Sequence, residues 1–382
     1  IDVANMLTGL VPNDNTIRRP NANALIINGD LAVAQRTTST SSVSSGSNFV
    51  SDRFTFGPTT AGTWTISQEA ITSGSPFDNG FRTGFKADNT TANGSLSGGS
   101  NLQFAQKIEA QDLQVLKYGS SNAEKMTLCF WIKATKTGTN VIEIFGHDSS
   151  RSVSVAYTVS TTNTWEKKTV SIPADTGGTI NNDNGTGLEV IWWLVAGSNF
   201  TSGSLQTAWG ANSATARAVG QVNHADSTSN NVHITGVQLE VGEYTSSSIP
   251  PFQHESYGDN IARCKRYYQG WGSVYDTGTF GISGRTISSN RFDSATITFI
   301  PEMRAAPTIA QGGTADIENY VFQSDGDSIT AGSGTSFAAL NTQKGSTKFR
   351  VTSNATLSAN RNANCQSGGG DGKQHLTFTA EL

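Results

Sequence analysis

Residues 127–133 read Thr-Leu-Cys-Phe-Trp-Ile-Lys and form the clearest β-strand pattern in the chain. Leu128, Phe130 and Ile132 share one face under the two-residue period of a strand. The residues between them, a cysteine and a tryptophan, make the opposite face largely apolar as well. The pattern therefore predicts a central strand that other elements cover on both sides.

Other strand-like runs follow this one and are separated by clusters of Gly, Ser, Thr and Asn. They recur at intervals of about 10–20 residues, which is the spacing typical of a β-sandwich or jelly roll. The clearest of these runs lie at residues 141–145, 153–157, 165–172 and 188–195.

The run at residues 232–241 changes its apolar parity part-way along. Its first two apolar residues, at 232 and 234, fall on even positions, whereas the last three fall on odd positions. The change occurs at Gly236. A single inserted residue there, a β-bulge, would keep all five apolar side chains facing the core.

Residues 246–256 are rich in Ser and Pro and read as a junction. After them, Tyr257, Ile261, Cys264 and Tyr268 lie at i, i+4, i+7 and i+11, which predicts a short helix of about three turns. We expect the apolar face of this helix to pack against one of the flanking sandwiches.

Together these patterns predict an all-β chain: a jelly-roll-like β-sandwich followed by a short helix and a second, smaller β-sandwich. Because the chain begins with Ile1 rather than Met, we expect an N-terminal anchor upstream of it. The predicted divisions are a linker at 1–22, a jelly roll at 23–245, a junction with the helix at 246–270, and a C-terminal β-sandwich at 271–382.

The composition supports this interpretation and excludes several functions. Only 15% of residues are charged, well below the roughly 25% of ordinary globular proteins. The formal net charge is −4 with scattered Lys and Arg, which is unlike a nucleic-acid-binding surface. No apolar run reaches the roughly 20 residues of a membrane span, so we expect no membrane insertion. Three widely spaced cysteines predict reduced, packed thiols in a bacterial cytoplasm.

Motifs of common enzymes are absent from the sequence. It contains no Gly-x-Ser-x-Gly elbow, no phosphate-binding loop and no His pair spaced four residues apart. We therefore predict a chain that is not an enzyme and carries no catalytic residues. A glycan hydrolase or lyase with two carboxylates about 5–10 Å apart is the third-ranked alternative.

The aromatic residues suggest where a sugar could bind, because sugar rings stack on flat side chains. The candidate glycan-binding residues are Trp209, Tyr268, Trp271 and Tyr275, which lie near glycines or in loop-like sequence. Packing in the core or between subunits is the alternative role for each of them.

Two acidic clusters could hold calcium through carboxylate oxygens. Asp325 and Asp327 form the first cluster, and Asp183 lies in the second. The full twelve-residue calcium loop is missing, so a solvated turn is favoured and we expect no cofactor.

Several segments resemble the tail-fibre and structural proteins of tailed phages, with small departures at Phe54, where those proteins usually have Trp, and at Cys129, where they usually have Ser. They occur in the same order and cover most of residues 24–382. The segments are Asn28-Gly29-Asp30, Ala34-Gln35-Arg36, Asp52-Arg53-Phe54, Ile108-Glu109, residues 127–132, residues 234–242, residues 252–257, residues 264–268, residues 303–308 and residues 379–382.

This resemblance implies that the jelly roll at 23–245 is carbohydrate-binding-module-like and that a smaller β-sandwich follows it. It also implies a fibre on the virion that assembles as a homotrimer. It implies attachment to host-surface polysaccharide or lipopolysaccharide, with other tail or baseplate proteins as further partners. The protein would reach the virion after assembly in the bacterial host cytoplasm. A structural fibre, head decoration or adaptor that binds virion proteins alone is the main alternative. The resemblance carries over no ligand residues, because its motifs read as turn, core and junction devices.

Overall fold

The computed structural model describes residues 24–271, 281–312, 320–324, 327–330, 336–353, 356, 359, 361–367 and 375–382. It is built almost entirely of strands and confirms the predicted all-β, jelly-roll-like fold. The chain forms two compact units. The first contains Ile1–Ala32 with Thr38–Ser256, and the second contains Val33–Thr37 with Tyr257–Leu382. In the part of the chain that is described, no helix could cross a bilayer.

The first unit contains two six-stranded antiparallel sheets. Sheet 1 has the strand order β1-β3-β4-β12-β6-β9, and sheet 2 has the order β11-β8-β7-β10-β5-β2. The strands are β1 (Ser39–Val43), β2 (Thr55–Thr59), β3 (Thr63–Ala70), β4 (Thr83–Thr91), β5 (Asn101–Glu109), β6 (Met126–Ala134), β7 (Gly138–Gly146), β8 (Arg151–Val159), β9 (Glu166–Ile172), β10 (Thr186–Ala196), β11 (Gly210–Ala211) and β12 (Asn231–Val241).

Short helical segments connect some of these strands. They are α1 (Ser75–Asp78), α2 (Ser198–Thr201) and two 3₁₀ helices at Ala110–Leu116 and Ala214–Ala216.

A group of aromatic rings fills the core of the first unit. Phe104 lies at its centre, with ring centroids 4.9 Å from Phe54, 4.4 Å from Phe85 and 5.7 Å from Trp192. Phe130 meets the same tryptophan edge-on at 5.5 Å. Stacked and edge-on pairs of this kind add to the apolar area that the rings bury. The two sheets are therefore joined by residues from both.

The sequence predicts that β6 is a central strand, and it lies inside sheet 1 between β12 and β9. Leu128, Phe130 and Ile132 are fully buried, and Cys129 on the outer face is buried as well. Trp131 is only half-buried, so the outer face is less completely covered than the apolar pattern suggested.

The predicted β-bulge is present in β12. Thr235 pairs with Trp131 and Gln238 pairs with Cys129, so β12 has one more residue than β6 between these two pairs. Gly236 takes the left-handed backbone conformation with φ +60°, and a Cβ there would lie 2.7 Å from the Phe81 ring. The glycine is therefore required both for the bend and for the close packing of that ring.

The outer face of sheet 2 is partly covered by the segment that follows β10. Trp192 points into the core, and its neighbour Trp193 packs on the outer side against Phe200. Beneath this cover, the carboxylate of Glu143 accepts hydrogen bonds from Nε of Arg217 at 2.8 and 3.0 Å and from Nε1 of Trp193 at 2.9 Å. Burial raises the pKa of Glu143, and the Arg217 guanidinium opposes that rise.

The second unit has a three-stranded sheet, β13-β23-β17, and a larger sheet, β16-β21-β15-β14-β22-β18-β19, with β20 paired to β21. Helix α3 (Tyr257–Lys265) precedes them. The strands are β13 (Tyr268–Trp271), β14 (Gly281–Ser288), β15 (Arg291–Ser294), β16 (Ile297–Thr298), β17 (Thr308–Gly312), β18 (Tyr320–Ser324), β19 (Asp327–Thr330), β20 (Ser336–Leu340), β21 (Ser346–Thr352), β22 (Asn362–Ser367) and β23 (His375–Thr379).

The helix differs from its prediction at both ends of the apolar stripe. Helix α3 ends at Lys265, and Tyr268 begins strand β13 instead of closing a third turn. Tyr257 is 60% exposed, so it does not pack against a sandwich. The helix buries Cys264 and the polar Asn260. An apolar pattern with the helical period therefore covered both a helix and the first residue of a strand.

The buried ion pair generates a stability prediction. Replacing Arg217 with Met leaves the Glu143 carboxylate buried without its cation, and we expect the free energy of unfolding to fall by about 3–5 kcal/mol. Chemical denaturation measures this loss. The matched control is Lys117→Met, because the Lys117–Glu124 pair is exposed and such pairs contribute at most about 1 kcal/mol.

A double substitution, Glu143→Leu with Arg217→Met, removes both charges and should recover most of the lost stability. If Arg217→Met costs no more than Lys117→Met, the ion pair does not hold the covering segment in place.

A buried histidine generates a pH prediction. His224 is completely buried, its Nε2 lies 2.7 Å from Oδ1 of Asn140, and burial lowers its pKa to about 4. Between about pH 6.5 and 4 the unfolded chain therefore binds a proton that the folded chain does not. Acidification through this window should destabilise the fold by up to roughly 3 kcal/mol.

Denaturation curves at pH 7 and pH 4.5 test this. His224→Gln should lose less stability on acidification than the unsubstituted chain, whereas exposed His254→Gln should not differ from it. Equal pH dependence in all three proteins would show that His224 does not contribute.

Candidate functional site

The solvent-facing side of the larger sheet in the second unit carries an open groove. Along β14, β15, β21 and β22 the side chains alternate between the two faces, as the two-residue period requires. Ile282, Phe292, Phe349 and Ala363 point into the core of this unit. The residues between them point outward and are largely polar. The core on one side thus fixes the positions of the side chains on the other.

One cross-strand row forms the floor of the groove. Asn362 pairs with Arg285, Arg285 with Asp293, and Asp293 with Arg350 on four successive strands. Side chains directly opposite each other in antiparallel strands lie about 5 Å apart at Cβ. The row therefore places an amide, two guanidinium groups and a carboxylate side by side on a rigid sheet.

The groove has a volume of about 980 Å³ and is open to solvent. Exposed hydroxyl and amide groups line it beside the charged row, and Ile287 and Leu340 add apolar surface. The described residues that line it are Ser283, Gly284, Arg285, Ile287, Asp293, Ser294, Ala295, Leu340, Asn341, Lys348, Arg350, Asn362, Ala363 and Asn364.

The charges of the groove are unequally paired. Nε and Nη2 of Arg350 donate to the two oxygens of Asp293, each at 2.6 Å. The Arg350 guanidinium lowers the pKa of the Asp293 carboxyl, and Arg291 and Lys348 act in the same direction. The side chains of Arg285 and Lys348 have no hydrogen bond or ion pair within the described residues. Three cations and one anion are among the described residues that line the groove, so these residues carry an excess of two positive charges.

Two of the predicted glycan-binding aromatics, Trp209 and Tyr268, have described side chains. Neither is among the described residues that line the groove, and both are engaged in packing. Trp209 donates its Nε1 hydrogen to the carbonyl oxygen of Pro173 at 2.7 Å and meets Tyr118 edge-on at 5.6 Å. Tyr268 is only 4% exposed, and the guanidinium carbon of Arg36 lies 3.8 Å above its ring. These contacts match the packing alternative.

The side chains of the other two predicted aromatics, Trp271 and Tyr275, lie outside the part of the chain that the structure describes. The backbone of Trp271 pairs with Leu376 at the end of β13. Tyr275 lies outside the described residues.

The calcium candidates receive no support from the described residues. Asp325 lies outside them, and only the backbone of Asp327 is described, at the start of β19. Oδ1 of Asp183 accepts a hydrogen bond from the backbone N–H of Gly185 at 2.8 Å, which is the geometry of a turn. Among the described residues, no group of three or more His, Cys, Asp or Glu side chains could hold a metal ion.

Sequence reasoning missed Arg285, Asp293, Lys348 and Arg350. Each lies at a polar position of an alternating run, which marks it as solvent-facing but does not identify its neighbours. The groove depends on pairing between residues more than fifty positions apart, such as Asp293 and Arg350. An excess of charged residues on the polar face of these runs is the signal that could have indicated it.

Comparisons with known proteins give only distant similarities. No protein-family model matches the chain, and no curated protein sequence matches it. Solved structures that resemble it include the enzymatically active domain of tailspike protein 4 from bacteriophage CBA120, at 17% identity and a TM-score of 0.28. This match covers 53% of the chain but only 21% of that tailspike chain.

Two other similar structures are smaller proteins. A candidate sugar-binding protein from Bacteroides thetaiotaomicron has 13% identity and a TM-score of 0.31, with 57% of this chain and 100% of that chain covered. TmCBM61, in complex with β-1,4-galactotriose, has 9% identity and a TM-score of 0.26, with 57% of this chain and 99% of that chain covered. At TM-scores this low, the similarities do not by themselves indicate a function.

The contacts of Trp209 generate a graded prediction. Trp209→Phe keeps an aromatic ring beside Tyr118 but loses the hydrogen bond to Pro173, and we expect a loss of about 1 kcal/mol in unfolding free energy. Trp209→Ala also removes the packed ring and should cost about 3 kcal/mol. Chemical denaturation of both variants measures the difference. If both retained full stability, Trp209 would be available for a ligand after all.

Proposed function

We propose that the chain is a non-enzymatic glycan-binding protein that acts as the receptor-binding part of a phage tail fibre. The observation that carries this proposal is the open groove on the larger sheet of the second unit. Its polar side chains project from paired strands, so the backbone positions that carry them are set before a ligand arrives. Rigid placement of this kind reduces the entropy that binding costs.

The lining of the groove suits a sugar chain. Ser283, Asn341, Asn362 and Asn364 present hydroxyl and amide groups that can donate to and accept from sugar hydroxyls. Leu340 offers apolar surface for the C–H faces of a sugar ring. Sites for small ligands combine apolar contact with a few placed polar groups in this way. The open form of the groove fits an extended polymer better than an enclosed small molecule.

The chemistry of the groove favours binding over cleavage. Glycoside hydrolysis uses one carboxyl group as an acid and a second as a base or nucleophile. Asp293 is the acidic residue among the described lining residues, and Arg350 holds both its oxygens. A carboxylate fixed in this way, with a lowered pKa, is poorly suited to donate a proton.

The virion part of the proposal rests on the ordered motifs that resemble phage fibre proteins. A homotrimer would present three grooves together, and linked weak sites bind a polymeric surface much more tightly than one site does. Cys129 and Cys264 are buried free thiols, which agrees with assembly in a bacterial cytoplasm before release. Other tail or baseplate proteins and a host polysaccharide or lipopolysaccharide are the proposed partners.

Binding to an array of bacterial surface polysaccharides tests the proposal, with light scattering to determine the oligomeric state. Ala295→Trp places a bulky ring in the groove at an exposed position and should abolish saturable binding. Thr298→Trp is the matched control, because Thr298 is exposed on the same unit outside the groove. This variant should bind polysaccharide as the unsubstituted chain does.

An intact protein that binds no polysaccharide would contradict glycan recognition and favour a structural fibre that binds virion proteins alone. Shortening of a bound polysaccharide would contradict the non-enzymatic assignment. A monomer in solution would contradict the trimer.

A further inference from the structure

We infer that the groove of the second unit binds a carboxylate-bearing sugar and that Arg285 is its principal contact. This inference rests on the proposed glycan-binding function and names the class of glycan that the site takes. A guanidinium group presents paired N–H donors in a plane that matches the two oxygens of a carboxylate. Uronic acids and other acidic sugars carry such a group on an otherwise hydroxyl-rich ring.

The position of Arg285 in the sheet makes it available to a ligand. Arg285 lies directly opposite Asp293, which would be its natural ion-pair partner. Both oxygens of Asp293 are instead held by Arg350 from the next strand, at 2.6 Å each. The exposed Arg285 side chain therefore has no carboxylate partner among the described residues of the chain.

Neighbouring side chains extend this site along the sheet. Asn362 pairs with Arg285 on its other side and offers an amide to an adjacent sugar hydroxyl. Lys348 is exposed two residues before Arg350 and adds to the lining a second cation that has no ion-pair partner in the described part of the chain. The net excess of two positive charges attracts an anionic polymer, and the amide and hydroxyl groups distinguish a sugar chain from a simple ion.

The first arm of the test compares acidic glycans with their neutral counterparts. The probe is a set of uronic-acid-containing bacterial polysaccharides, each paired with the same polymer after chemical reduction of its carboxylates to alcohols. We expect the full chain to bind at least one acidic member, and carboxyl reduction to weaken that binding by about tenfold or more.

The second arm changes the charged residues of the protein instead of the carboxylates of the glycan. Arg285→Gln should weaken binding of the acidic glycan by about tenfold, and Lys348→Gln by about threefold. Asp293→Asn should strengthen it, because this substitution removes the competing anion and frees Arg350 for the ligand. Lys344→Gln is the matched control, since Lys344 is exposed on the same unit outside the groove. This variant should bind the acidic glycan as the unsubstituted chain does.

The outcomes separate the two levels of proposal. Equal binding of the acidic and reduced polymers, or binding of neutral polysaccharides alone, overturns the acidic-sugar assignment and leaves glycan binding in place. Binding of acidic glycans that Arg285→Gln does not weaken overturns the assignment of this site. Binding of no polysaccharide at all overturns the proposed function itself.

Discussion

The inserted residue at Gly236 is the constraint on which the first unit depends. Strand β12 lies between β4 and β6, so its register determines how both halves of sheet 1 align. Without the bulge, a one-residue slip would turn Val237 and Leu239 away from the core. The bulge also frees the backbone N–H of Val237, which donates to the carbonyl oxygen of Gly29 at 2.8 Å. A Cβ at Gly29 would lie 2.1 Å from the carbonyl oxygen of Val237, so this contact requires glycine.

The same two-residue period that builds the cores also builds the groove. In the second unit Phe292 and Phe349 are completely buried, with ring centroids 6.2 Å apart. Their strand neighbours, Asp293 and Arg350, are therefore directed to the opposite face and paired there. The strands that bury the two phenylalanine rings on one face therefore also position the charged groove residues on the other. Mutations that loosen the phenylalanine packing would displace the groove residues as well, since both faces share one backbone.

Sequence patterns predicted the features that depend on neighbouring residues. The alternation in β6 and the change of parity at Gly236 are both local, and both were found where predicted. Features that depend on distant partners were not predictable. The sequence around Trp209 is loop-like, with Gly210 next to it, but does not show that the Pro173 carbonyl accepts a hydrogen bond from its indole N–H. The spacing of Tyr268 fits the helical stripe of α3, yet pairing of its backbone with Thr379 places it in a strand. Long-range pairing decides such cases, because propensity is weak for short segments.

Two of the arginine–carboxylate pairs, Arg217–Glu143 and Arg350–Asp293, illustrate how charge is distributed between stability and recognition. Arg217 satisfies a carboxylate that is fully buried, where an uncompensated charge would be costly. Arg350 satisfies Asp293 at the surface, where the pair itself contributes little to stability because water screens it. The effect of the surface pair is instead local. Arg350 occupies both oxygens of Asp293, the one acidic residue among the described groove residues, so Arg285 does not pair with it. Among the described residues of this face, Arg285 and Lys348 therefore remain without an ion-pair partner, whereas the anion Asp293 is held by Arg350.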